Sequence, residues 1–367
     1  MSSHPQPIII LGLVAVVLLA CGAPQTTAPE IDPAAAQREA QLQKEFALRS
    51  YRQDWQRLFD VGGPLLEASA GLCGNHLAPY LGVKFHTVHG FDKDDRIAVA
   101  KVYTLDNKPR VSQVVALSPA ARAGFLVGDV LLEIQGRSIN SGPGASKKIS
   151  KMLDELLATG RPIAFKIARG PEILMLQALP TQHCNFNLQL SQDHEINAFA
   201  DGANVVINRG LIRFIESDQH LATIIAHEIA HNAMGHIDAK KTNATVGAIG
   251  GLLADMAAAV LGVNTGSTFR NIGARAGASA YSAAFENEAD YVGLYILARA
   301  RYPIKGAADV WRLMATVNPK SISFSGSHPT SPQRYLNMEQ YIREITAKLA
   351  ANAPLVPDGI QAISPLP

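Results

Sequence analysis

The hydrophobic pattern changes character several times along the chain, and each change predicts an element. Ile8–Ala20 is an unbroken apolar run, IIILGLVAVVLLA. It is shorter than the roughly 20 residues that span a bilayer, and it suits the core of a signal peptide over residues 1–20. Residues 21–36 set Pro24, Pro29 and Pro33 among small side chains, the composition of a tether. Leu48, Tyr51, Trp55 and Leu58 then recur at three- and four-residue steps, which predicts an amphipathic helix within a helical segment over 37–80.

From Leu81 to Pro180 the pattern shortens into strands and turns. A strand runs into Ser118-Pro119, a short helix takes Ala120–Ala123, and Gly124 and Gly128 mark turns. A strand over Val130–Ile134, an amphipathic helix over Ser146–Leu157 and a strand over Ile163–Ile167 follow. A second domain opens near His194, with Asn197–Ile207 extended and turned at Asp201-Gly202. A helix over Asp218–Met234 is capped by Ser217 or Asp218 and stopped by Gly235. The last helix, Tyr281–Arg301, ends before Pro303, and residues 351–367 form a loose tail. Between these helices, Thr242–Phe269 holds a single charge, Asp255, amid Gly and Ala. Asp255 in mid-run and the glycines argue against a membrane-spanning helix. Three readings stay open for it: a lid, a hairpin leaning on a membrane, or a buried connector.

Composition narrows the class. Hydrophobic residues make up 47% and charged ones 17%, ample for a core and unlike a disordered chain. The net charge of +2, with no basic run, excludes nucleic acid as an expected partner. Three cysteines are too few for a disulfide-dense miniprotein and lack CxxC spacing. Leu18-Leu19-Ala20-Cys21 resembles a bacterial lipobox, which implies a lipid anchor on Cys21 and export to the periplasmic side of the envelope. Gly22 after that cysteine implies sorting to the outer membrane. Cys73 and Cys184 then remain as two thiols in an oxidising compartment, where they are expected to pair.

The chemistry gathers in the second domain. His227-Glu228-Ile229-Ala230-His231 is an HExxH pattern inside a helix that is otherwise apolar from Leu221 to Met234, Asn232 apart. Residues four apart share a helix face, so both imidazoles can meet one Zn²⁺ while Glu228 reaches a water on it. Two histidines and a carboxylate buried without a partner would be costly. Zinc needs a third protein ligand. Gly235 and His236 miss the metzincin spacing, which leaves His236 as a neighbour of the ligands. Glu286 and Asp290, four apart in Phe285–Asp290 (FENEAD), share a face and fit a ligand and a carboxylate that orients a ligand histidine, while Glu288 points elsewhere.

Two resemblances follow from these residues. The string SPAARAGFLVGDVLLEIQG resembles the PDZ domain of bacterial envelope proteases. That implies a groove between a strand and the Ser146–Leu157 helix that accepts an extended peptide as an added strand. Cys73 and Cys184 flank this module, and a bridge between them would close its neck. Residues Asn197–Tyr335 resemble the HtpX/CAAX-prenyl-endopeptidase metallopeptidases, peptidase family M forty-eight, through AHEIAHNAMGH, ENEAD and Ser327-His328-Pro329 with Arg334. The resemblance implies that His328 either caps the metal in a resting state or binds the transition-state oxyanion, with Arg334 steadying it.

The expected fold class is α+β: a mainly helical zincin-type peptidase domain over 190–350 with a small β-sheet, plus a PDZ-like β-rich domain over 81–180. The expected function is a zinc-dependent endopeptidase of the bacterial envelope, with Glu228 as general base and misfolded or misassembled envelope proteins as substrates. The alternative is a zinc-stabilised periplasmic chaperone or assembly factor, or a PDZ adaptor with little proteolysis.

Overall fold

Two separate apolar cores organise the chain. One gathers buried residues from Leu58–Cys73 and Cys184–Ile345. The other draws only on Leu81–Ala178. This computed structural model describes residues 26, 29–261, 263–279, 282–323, 328 and 330–359. The signal segment and Cys21 lie outside the described residues. Among the described residues, those up to Lys44 belong to one unit and those from Glu45 onward to another.

Helix α1 (Pro33–Ala68) begins earlier than the sequence pattern predicted. The Asp32 carboxylate accepts the Ala34 N–H at 3.0 Å, and Pro33 sits where a missing N–H costs nothing, so the last residues of the expected tether are helical. The helix also ends sooner than 80. A short helical turn (Ala70–Leu72) follows it, and Leu77–Tyr80 is strand β1.

The second core belongs to a β-rich module. It comprises β2 (Val83–His86), α2 (Arg96–Tyr103), β3 (Arg110–Val114), α3 (Pro119–Arg122), β4 (Val130–Ile134), β5 (Arg137–Ser138), α4 (Ala145–Leu157), β6 (Ile163–Arg169) and β7 (Glu172–Ala178). The sheet order is β2-β3-β4-β6-β7, with β5 beside β4. Along β6 the alternation is complete: Ile163, Phe165 and Ile167 are buried, while Ala164 and Lys166 are half-buried. Helix α4 packs beside edge strand β2, and Ser146 at its start accepts the Thr87 N–H at 3.1 Å.

The module joins the rest through a narrow neck. β1 pairs antiparallel with β8 (Thr181–Cys184), Leu77 opposite Cys184 and Tyr80 opposite Thr181. Cys73 and Cys184 are disulfide-bonded at the base, with Cα atoms 5.7 Å apart.

The other core holds β9 (Asn187–Ser191), β10 (Ala198–Ala200) and β11 (Asn204–Asn208), in the order β10-β11-β9. β10 and β11 form a hairpin turned at Asp201-Gly202, and β11 runs parallel to β9. The helices are α5 (Arg209–Phe214), α6 (Asp218–Ala233), α7 (His236–Val260), α8 (Thr268–Ser279), α9 (Ser282–Arg299), α10 (Asp309–Val317) and α11 (Pro332–Ala350). α10 had no counterpart in the sequence reading. The Ser217 hydroxyl caps α6, which is buried from Leu221 to Asn232. α1 braces its approach: Arg57 donates to Asp218 Oδ1 at 2.8 Å, Ile212 O at 2.7 Å and Glu216 O at 2.9 Å.

Residues 242–260 lie in the single unbroken helix α7, which returns as α8. Asp255 does not interrupt it, because its carboxylate turns inward to accept the Phe269 and Arg270 N–H groups at 3.1 and 2.9 Å and the Thr265 hydroxyl. The reading as a buried connector is overturned, since most large side chains of this hairpin are exposed.

The bond between Cys73 and Cys184 closes a separation of 111 residues. Reduction, or Cys73→Ser with Cys184→Ser, should cost about 2–5 kcal/mol and lower the melting temperature by about 5 °C or more. Melts with and without reductant that superimpose would remove the neck from the stability of the fold.

Candidate metal centre

The centre is built where α6 and α9 cross at close range. His227 and His231 occupy one face of α6, and Glu286 and Asp290 the facing side of α9, each pair four residues apart. Gly293 continues that face of α9. A Cβ there would stand 3.2 Å from His227 N and 3.3 Å from the Ala226 carbonyl, so the bare glycine lets the helices approach.

Four side chains converge in the gap. Nε2 of His227 lies 3.1 Å from His231 Nε2 and 3.3 Å from Glu286 Oε2. Glu286 Oε1 is 3.3 Å from His231 Nε2. His328, on the segment before α11 and with its side chain 18% exposed, brings Nδ1 to 2.9 Å from Glu286 Oε2 and 3.3 Å from His227 Nε2. Glu288 is not among them. Its carboxylate stands 2.8 Å from His236 Nε2, and His236 Nδ1 stands 2.9 Å from His231 Nδ1. His236 and Glu288 therefore hold the far side of the His231 ring, while Asp290 Oδ1, 2.9 Å from His227 Nδ1, does the same for the other imidazole.

Arg334, the first turn of α11, donates to both oxygens of buried Asp290 at 2.7 Å and pairs with Glu286 Oε2 at 3.1 Å. Its guanidinium lies over the Trp311 ring, 4.1 Å from the centroid, and that indole also meets the His227 ring edge-on. Glu228 is buried one step round α6, with Oε1 3.6 Å from His328 Nε2.

Donor chemistry and spacing fit a tetrahedral cation. Ligand atoms about 2.0–2.1 Å from zinc stand roughly 3.3 Å from one another, the spacing of this cluster. Two imidazole nitrogens face each other across 3.1 Å, and Glu286 Oε1 is buried without a hydrogen-bond partner among the described residues. A positive charge among them resolves both. Electrostatics agree. Burial disfavours the Glu286 and Asp290 carboxylates, yet their partners hold both well below the usual carboxylate range: His227, His231 and His328 for Glu286, and chiefly Arg334 for Asp290. Burial also works against a charged His227, but Asp290 and Glu286 overcome it and hold this imidazole at about 9, whereas burial leaves His231 at about 3.

The structure thus brings His227, Glu228, His231, His236, Glu286, Asp290, His328 and Arg334 into one cluster. Cys73 and Cys184 sit at the neck instead. Sequence reasoning missed Trp311, Gly293, the partnership of Glu288 with His236, and Lys240, whose Nζ is 3.9 Å from Glu286 Oε1. Gly293, seven residues after Glu286, was open to a helical-face reading. Nothing local marked Trp311. A cavity of about 690 Å³ runs along α1, lined by Arg49, Arg52, Arg57 and Asp218, and takes in none of the cluster.

Residues 170–342 match the family model described as peptidase family M48, and residues 79–178 match the PDZ domain. The chain is 34% identical over 125 residues to the beta-barrel assembly-enhancing protease of Escherichia coli O157:H7, a match covering 32% of this chain and 26% of that protein. It is 25% identical over 228 residues to the mitochondrial metalloendopeptidase OMA1 of Schizosaccharomyces pombe, covering 60% of this chain and 64% of that one. Among solved structures it is similar to a HtrA3 PDZ domain bound to a phage-derived ligand, at 20% identity and a TM-score of 0.22, over 29% of this chain and 88% of the other. The chain spans about a quarter of the length of the Escherichia coli relative.

Metal content reads the ligand assignment directly. Glu286→Ala should abolish bound metal and Glu288→Ala should retain it, while Asp290→Asn should weaken affinity by about 10–100-fold. Retention in the first and loss in the second would move the ligand to Glu288.

Proposed function

We propose that this chain, which carries a peptidase family M48 domain and a PDZ domain, is a zinc-dependent endopeptidase of the bacterial envelope, with His227, His231 and Glu286 as the metal ligands. The observation that carries this reading is the convergence of those three donors beside a buried carboxylate, Glu228, whose Oε2 has no hydrogen-bond partner among the described residues. Zinc held there would polarise a peptide carbonyl and bring the pKa of a water on it to about 7.

The work of the protein residues follows from their positions. Glu228 accepts the proton of the attacking water and returns it to the leaving amine, a transfer for which its unpartnered Oε2 is available. Asp290 and the His236–Glu288 pair keep each ligand imidazole turned with Nε2 toward the centre. Arg334 balances the two carboxylates and fixes Asp290 by two parallel bonds. β10 lies at the edge of its sheet, so an extended polypeptide can pair with it through backbone groups alone. The PDZ groove beside β2 and α4 would take a second peptide segment. A lipid on Cys21 would hold the enzyme on the periplasmic side of the outer membrane. Misfolded or misassembled envelope proteins are the proposed substrates, a reading that the name of the Escherichia coli relative, beta-barrel assembly-enhancing protease, supports.

His328 acts as a latch in this reading. Its Nδ1 completes the four-donor cluster and its Nε2 faces Glu228, so it stands where water and substrate must enter. Cleavage requires the His328 side chain to withdraw.

Glu228→Gln should retain metal and melting behaviour while peptide hydrolysis falls by about 10²–10⁴-fold. Undiminished cleavage would sink the proton transfer, and no cleavage by the parent protein would favour a chaperone. His328→Ala should speed cleavage of an unfolded substrate. Slower cleavage would reassign His328 to binding the oxyanion.

A further inference from the structure

The hairpin α7–α8 is packed inside out for a structure meant to stand in water. Its seam is made of glycine. A Cβ on Gly247 would fall 2.0 Å from Gly273 O, one on Gly251 2.0 Å from Phe269 O, one on Gly273 2.1 Å from Gly247 O, and one on Gly277 2.0 Å from Asn243 O. Gly247 with Gly251, and Gly273 with Gly277, are each a pair four residues apart that brings helix backbones into contact. The large side chains point the other way. Val246, Leu253, Met256, Val260 and Leu261 are all more than half exposed, the last two at 87% and 81%. Water-soluble hairpins hide such side chains between their helices and keep the small ones outside.

Charge is distributed to match. Thr242–Phe269 contains one ionisable side chain, Asp255, and that carboxylate is turned inward onto the start of α8. The outer surface of α7 beyond the apolar stripe carries exposed Ala254, Ala257 and Ala259 in place of charged residues. A second protein copy would need one apolar stripe and would leave the remaining faces charged for water. A face without charge on every side fits hydrocarbon. On α8, Arg270 and Arg275 are exposed, placed for anionic headgroups.

We propose that the α7–α8 hairpin docks this protein on a phospholipid bilayer, dipping its tip and apolar stripe into one leaflet with Arg270 and Arg275 at the headgroups. α7 is long and apolar enough to cross a membrane. Crossing is excluded by the return helix: at 1.5 Å per residue α8 runs only about 18 Å and carries both arginines, so the hairpin lies in the interface. α7 is rooted at His236, beside His231, so a docked hairpin holds the metal centre within roughly 37 Å of lipid. The attachment needs neither metal nor acyl chain.

Flotation with vesicles of phosphatidylethanolamine and phosphatidylglycerol tests it, using the chain from Gly22 onward, free of the signal segment and of any acyl group. The parent should float. A triple variant with Leu253→Asp, Met256→Asp and Val260→Asp should stay in the dense fraction with unchanged metal content and far-ultraviolet dichroism. As a check that does not depend on that variant, Leu261→Trp should show blue-shifted emission with these vesicles and quenching by brominated lipid. Arg270→Glu with Arg275→Glu should weaken flotation, and vesicles of phosphatidylcholine alone should bind the parent less. The proposal is overturned if the triple variant floats as well as the parent, or if the parent does not float and the Leu261→Trp emission is unchanged by lipid. It is equally overturned if the lipid-free parent sediments as a dimer that the aspartates dissociate while no flotation is seen, which assigns the face to a second copy.

Discussion

Burying opposed charges between two helices is the constraint on which the rest of this structure depends. Asp290, Glu286, Glu228 and Arg334 are all within the interior, together with three imidazoles. A buried charge without its partner costs several kcal/mol, so these groups are tolerable only as a set. The set is drawn from α6, α9, the segment at His328 and the first turn of α11, and the helices must meet in one register to assemble it. Gly293 permits the approach, Trp311 covers the His227 ring and the Arg334 plane, and the Ser331 cap begins α11 where its arginine reaches Asp290. Asp290 and Glu286 beside His227 favour positive charge at that imidazole despite its burial.

The architecture around this layer is divided between two cores. The β-rich module has its own core and reaches the core that holds the metal centre through a two-stranded neck clamped by a disulfide. α1 bridges both, donating from Arg52 to Val102 O in one and from Arg57 to Ile212 O in the other. The module is therefore held by contacts from a helix as well as by the neck.

Glycine does opposite work in two places. At Gly293 it brings two helices together so that charged side chains can be buried between them. Along the α7–α8 seam it leaves no room for side chains between the helices, and the apolar residues are displaced outward. The first use makes a site and the second makes a surface, although both appear in the sequence as the same residue at four- or seven-residue spacing.

Much of the centre was legible because its chemistry follows helical spacing. His227 with His231, and Glu286 with Asp290, are each four apart, and that periodicity alone puts each pair on one face. The strands from Val130 and Ile163 were legible through alternation and turn glycines, and the disulfide pair through its position around the module. Other features were decided only by the tertiary structure. Thr242–Phe269 left a lid, a membrane-leaning hairpin and a buried connector open, and close helix packing through its glycines with an inward-turned Asp255 carboxylate is what makes it a hairpin. The 33–36 segment is helical because Asp32 caps it, a local contact that the surrounding prolines obscured. Trp311, and Glu288 on His236, come from contacts between segments distant in sequence. Periodicity reports which side of an element is buried, and only the packed fold decides what meets it there.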